Sequence, residues 1–142
     1  MSRLSSHSTK TLSLSQLAPL YLYPQYLTIS GEPLGNLGYA IKLWMVNQKG
    51  EAVFGNGLAE LLEEIDNHHS ILEAANHLEM SYRYALHRLT LAEERLGEPL
   101  VTRVRGGAKG GGSSQVTNFG KNLVKLYRNA QVELSKVIEK MP

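Results

Sequence analysis

The reading of the fold turns on residues 70–96, SILEAANHLEMSYRYALHRLTLAEERL. Ser70 and Glu73 stand three apart ahead of an apolar run. In that pattern the serine oxygen accepts from the third helical NH while the glutamate side chain reaches back to the serine NH. A short helix is therefore predicted from Ile71, with Ile71, Ala74, Ala75 and Leu78 facing inward. Its two alanines leave room for another helix to approach closely. Ser81 is a second cap residue, only eleven residues after Ser70. Two helices joined by a turn of about three residues form a helix-turn-helix.

The second helix is predicted from Tyr82 to Leu96. At about 100° per residue, Tyr82, Ala85, Leu86, Leu89, Ala92 and Leu96 share one face. Arg83, Tyr84, His87, Leu91 and Glu94 occupy the other, flanked by Arg88 and Arg95. In a helix-turn-helix the N-terminal part of the second helix enters the major groove. Arg83, Tyr84 and His87 are thus candidates for base readout, with Ser81 and Arg88 near phosphates. Beyond it, Leu100 to Arg105 has strand character and carries Arg103 and Arg105 on one face. The loop from Gly106 to Ser114 holds five glycines around Lys109, and Gln115-Val116 closes a second strand. Arg103, Arg105 and Lys109 are expected to meet DNA backbone or minor groove from this hairpin.

Upstream, Tyr39 to Val46 places Tyr39, Ile41, Leu43 and Met45 on one strand face. The turn residues Asn47 to Gly50 lead to Glu51–Phe54, so the pair is predicted as a β-hairpin. Asn56-Gly57 then opens a helix whose Leu58, Leu61, Leu62 and Ile65 fall on one stripe. Downstream, Thr117 is the expected N-cap of a helix reaching about Lys140, with Phe119, Leu123, Leu126, Tyr127, Ala130, Leu134, Val137 and Ile138 as its apolar stripe. About 23 residues at about 1.5 Å each make roughly 35 Å, more than a small domain requires. That excess points to a helical dimer interface, the alternative being packing against the chain's own hairpin and extension. Residues 1–38 carry only Arg3, Lys10 and Glu32 as charged groups, with Pro19, Pro24 and Pro33, and are expected to form an extension with little regular structure. The expected organisation is this extension followed by one domain over 39–142, with the helix-turn-helix at 70–96, a wing at 100–116 and a last helix at 117–140. The fold class is mainly α with small β-hairpins.

The formal charge of +2 conceals a segregation along the chain. From Glu51 to Met80 there are seven acids and no Lys or Arg, a net −7. From Ser81 to Arg128 nine bases face three acids, a net +6. Clustered cations raise the local potential and favour polyanions even when the total is near neutral. With no cysteine, disulfide scaffolds, thiolate zinc sites and cysteine nucleophiles are excluded. No apolar run approaches the roughly 18 residues of a membrane span, and the lack of cysteine is compatible with a reducing cytoplasm, where the protein is expected.

On these residues the chain resembles a known family over 57–127: the N-terminal winged helix-turn-helix domain of ModE, the molybdate-responsive regulators, related to LysR-type DNA-binding domains. The resemblance is carried by Ala74-Ala75, by Met80 to Arg83, and by Leu96 to Val101. The glycine-rich wing with Lys109, and Val116-Thr117 with Gly120, complete it. It implies binding to palindromic operators as a homodimer. Four departures stand out. Glu79 occupies a turn where the family commonly has glycine, at a cost of roughly 1 kcal/mol if its backbone is left-handed. Leu86 stands where tryptophan is frequent, and Ala108 resembles a one-residue insertion in the wing. The sequence ends at Pro142, and no molybdate-binding domain or molybdate sensing is expected of it.

Other chemistries fit the residues less well. A phosphate-binding loop of the nucleotide hydrolases needs Gly-Lys-Ser/Thr opening a helix, whereas Lys109 is followed by Gly110. His68, His69 and His77 match no standard ligand spacing without cysteine, so no metal is expected. Glu60, Glu63 and Glu64 are paired with no base, nucleophile or metal and are expected to form a solvated face that could also carry a partner; no cofactor or catalytic residue is expected. The reading is a non-enzymatic, single-domain, DNA-binding transcriptional regulator of double-stranded DNA. Two alternatives stay open: a protein-interaction module that keeps the fold without specific DNA binding, and a small oxyanion-responsive regulator.

Overall fold

In the computed structural model, which describes residues 38–105 and 112–141, the elements run β1 (Trp44–Val46), β2 (Ala52–Gly55), α1 (Asn56–His68), α2 (Ile71–His77), α3 (Tyr82–Leu96), β3 (Val101–Val104), β4 (Ser113–Val116) and α4 (Asn118–Glu139). Among the described residues the protein is mainly helical, with four helices and two small antiparallel hairpins, an arrangement compatible with a winged helix. None of these helices is long and apolar enough to cross a membrane. The described residues divide into two compact units, one within Trp44–Tyr127 and the other made of 38–43 and 128–141.

In the unit Trp44–Tyr127, the Asn47 side chain organises the first turn. Its Oδ1 accepts from the backbone NH of Lys49 at 2.9 Å and of Glu51 at 3.0 Å, and Gly50 takes a φ of 81°. Asn47 Nδ2 also donates to the Glu51 carboxylate at 2.8 Å, which holds the Glu51 pKa below the ordinary range. Both strands differ from the expected spans: β1 is shorter than Tyr39–Val46, and β2 runs from Ala52 to Gly55. The reason is the partner strand. Trp44 pairs with Gly55, and α1 begins at the next residue, so β2 ends there.

The expected stripe of α1 is realised: Leu58, Leu61, Leu62 and Ile65 are all buried. The helix ends at His69, whose left-handed backbone (φ 55°) bonds back to the Ile65 carbonyl. The His69 carbonyl in turn accepts from Ser114 NH at 2.9 Å, tying β4 to the end of α1. Ser70 caps α2 through its hydroxyl, which accepts from Glu73 NH at 3.1 Å. The buried Ala74 and Ala75 give α2 its close approach to its neighbours, and α2 packs on both α1 and α3.

The α2–α3 turn is a Schellman closure: Met80 NH bonds to the Ala75 carbonyl and Glu79 NH to that of Asn76. Glu79 sits at its left-handed position with φ 58°. In α3 the buried line is Ala85, Leu89 and Ala92. Tyr82, expected on that line, is 43% exposed. Residues 81–84 are all exposed, so the first turn of α3 overhangs and the core begins at Ala85.

The second hairpin pairs Val101 with Val116 and Arg103 with Ser114. Thr117 caps α4, its Oγ1 accepting from Gly120 NH at 3.0 Å and donating to the Pro99 carbonyl at 2.9 Å. A Cβ on Gly120 would lie 2.8 Å from the Leu100 carbonyl oxygen and 2.9 Å from Val116 Cγ1, so only glycine fits without backbone movement. Tyr127 is fully buried and meets the Phe54 ring edge-on at 5.6 Å.

In the other unit, Arg128 Nη1 donates to Gln131 Oε1 at 2.7 Å, and Gln131, Ser135 and Ile138 are buried. The stripe on α4 therefore differs from the expected one. Leu126 and Val137 are 58% and 56% exposed, while two polar residues lie on the covered line.

Candidate nucleic-acid interface

The first two turns of α3 gather five of the expected site residues. The Ser81 hydroxyl accepts from Tyr84 NH at 3.0 Å, satisfying one of the unpaired NH groups that open a helix. Arg83, Tyr84 and His87 are exposed beyond it. Arg88 is half-buried and folds back along the helix: its Nη1 donates to the Tyr84 hydroxyl oxygen at 2.9 Å, and the guanidinium carbon lies 5.7 Å from the Tyr84 ring centroid. Its other side reaches Gly57, where an added Cβ would sit 3.4 Å from Arg88 Nη2. Arg88 thus fixes Tyr84 and braces the start of α1. Arg83 offers a planar fork of donors suited to the guanine edge or a phosphate.

Two more cations lie on the second hairpin. Arg103 is exposed on β3, and Arg105 follows just after the strand. Lys109 and the glycines at 106, 107, 110 and 111 lie outside the described residues, as does Ala108.

What fixes this hairpin against α3 was not apparent from spacing. One Glu93 carboxylate oxygen accepts from Leu100 NH at 2.7 Å and from Val101 NH at 3.2 Å. Arg95 Nη1 donates to the Ala52 carbonyl at 2.9 Å, linking α3 to β2. In sequence Glu93 and Arg95 register only as helix charges. The turn at Gly97 (φ 75°) is what returns the chain to Glu93, and that turn was the available signal.

No protein-family model matches this sequence. A curated protein does. The molybdenum transport protein ModE of Azotobacter vinelandii is 36% identical over 81 residues, which are 57% of this chain and 30% of that protein. The chain therefore spans about a third of the length of the relative it matches.

Folding also assembles a cluster on α1 and α2. Glu64 Oε1 lies 3.1 Å from His68 Nε2 and 2.8 Å from His77 Nδ1. Spacing alone gives His68, His69 and His77 no ligand pattern; in the structure His68 and His77 meet Glu64, one helical turn before His68, and His69 is not among them. A glutamate four residues before a histidine was the missed signal.

Proposed function

We propose that this chain is a DNA-binding transcriptional regulator whose residues 39–142 form a winged helix-turn-helix, with α3 as the recognition helix and β3–β4 as the wing. The observation that carries this reading is the exposure of Arg83, Tyr84 and His87 on the first two turns of a Ser81-capped helix, inside the segment of net charge +6. The partial similarity to ModE supports a regulatory role. Arg83, Tyr84 and His87 read base edges; Ser81 and Arg88 lie near phosphates. Arg103, Arg105 and Lys109 supply backbone or minor-groove contacts from the wing. Phosphate contacts give affinity and base contacts give specificity.

The regulator acts as a homodimer through α4. Two copies related by a twofold axis read an inverted repeat. Selection of bound fragments from random double-stranded DNA at physiological salt tests the reading. An enriched inverted repeat is expected; absence of any enriched sequence overturns specific binding and favours a protein-interaction module.

A further inference from the structure

We propose that Glu64, His68 and His77 form a binding site for a divalent transition-metal ion of the Zn²⁺ or Co²⁺ type. The three ligand atoms, one carboxylate oxygen and two imidazole nitrogens, all lie within 4.8 Å of one another. Three lone-pair atoms at such separations repel unless something positive lies among them, either protons on the rings or one metal ion. A tetrahedral ion with bonds of about 2.0–2.2 Å sets its ligand atoms about 3.3 Å apart. The nitrogens now stand 3.1 and 2.8 Å from Glu64 Oε1, hydrogen-bond distances that an ion would widen by a few tenths of an ångström. The two imidazole nitrogens are within 4.8 Å of each other, their ring centroids 5.5 Å apart and tilted by 54°.

The backbone beneath the cluster is fixed by the core. Glu64 and His68 lie one turn apart on α1, next to the buried Leu61, Leu62 and Ile65. His77 occupies the last turn of α2, three residues after Ala74 and two after Ala75, both buried. The ligand side chains themselves are reachable from solvent, with relative exposures of 19%, 37% and 64% for Glu64, His68 and His77. Two imidazoles and a carboxylate suit borderline ions such as Zn²⁺, and three protein ligands leave a fourth position for water. Such an ion would clamp α2 to α1 across the His69–Ser70 turn. The site stands independently of the DNA-binding reading.

The test uses the full chain, free of any histidine tag and stripped of metal. Calorimetric titration with Zn²⁺ is expected to show one ion per chain, with a rise in Tm on addition. Co²⁺ is expected to give the visible absorption of a low-coordinate ion. His77→Ala, His68→Ala and Glu64→Gln should each weaken Zn²⁺ binding by at least about tenfold, since even partners outside the ligand set are worth about 10–100-fold. His69→Asn, which tolerates the left-handed backbone, should bind like wild type. Circular dichroism verifies that each variant folds. No binding at millimolar Zn²⁺, or binding that survives His68→Ala and His77→Ala unchanged, overturns the proposal.

Discussion

Over its first two turns α3 exposes Arg83, Tyr84 and His87, whereas over its last two it is gripped from several sides. Glu93 holds the start of β3, Arg95 holds β2, and Leu89 and Ala92 are buried. The helix is fastened from Ala85 onward and displays its first turn and the Arg83–His87 side of its second. A surface intended for a ligand must leave hydrogen-bonding groups unspent, and a surface intended for stability must spend them. The division predicts that substitutions in the two halves have separable effects, one set on stability and the other on recognition.

The largest effect is expected at Leu89, which is 1% exposed. Leu89→Ala removes buried methyl groups and leaves a cavity, so urea denaturation should show a loss of about 2–5 kcal/mol. The folded fraction should keep its sequence preference on DNA. If instead stability hardly moved while discrimination collapsed, the two halves would not be divided as described.

Glu93 comes next. Glu93→Ala strands the NH groups of Leu100 and Val101, and hydrogen bonds to a charged acceptor are worth about 1.5–3 kcal/mol. Glu93→Gln keeps an acceptor and should recover part of that loss. Hydrogen exchange gives the sharper readout: the amides of Leu100 and Val101 should lose protection in Glu93→Ala before those of Ala85 and Leu89 do. Equal loss along the whole helix would mean that Glu93 supports α3 itself and not the attachment of the hairpin.

The exposed end should behave in the opposite way. Arg83→Ala is expected to change unfolding free energy by less than about 0.5 kcal/mol, as for other surface substitutions. Its discrimination between an enriched site and random DNA should fall by about 1–3 kcal/mol if the side chain makes a bidentate base contact. Competition binding at fixed salt measures this. Unaltered discrimination would remove Arg83 from the reading surface.

The anchored half and the displayed half were unequally legible in the sequence. Caps and periodicity are local, so Ser70, Ser81, Thr117 and the stripe Leu58, Leu61, Leu62 and Ile65 could be read from residues a few positions apart. The side-chain ties were not legible because each spans a turn or a long separation: Glu93 to Leu100 across Gly97, and Arg95 to Ala52 over 43 residues. Glu64 and His77 meet for the same kind of reason, since only the packing of α2 on α1 brings them together. Tyr82 misled the helical wheel in another way. The wheel reports direction around an axis and says nothing of where along that axis the core begins. In α3 it begins at Ala85, so the aromatic residue one turn earlier projects into solvent on the same bearing.

The smallest expected effect sharpens the comparison at its boundary, the turn that launches the displayed end. Glu79 carries a φ of 58° in a Schellman closure whose two backbone bonds, from Met80 and Glu79, do not involve its side chain. A left-handed conformation costs a non-glycine residue roughly 1–2 kcal/mol. Glycine relieves that strain but loses more freedom on folding, an offset of about 0.4–1 kcal/mol. Glu79→Gly should therefore stabilise the protein by a few tenths to about 1 kcal/mol in urea denaturation. The same backbone bonds still set where Ser81 and Arg83 begin, so DNA discrimination should stay as in wild type. Two outcomes would show that the glutamate side chain matters at this position: a loss of stability, or a change of preferred site without one. The launch of α3 would then depend on charge as well as on backbone geometry, and the displayed end would extend back through the turn.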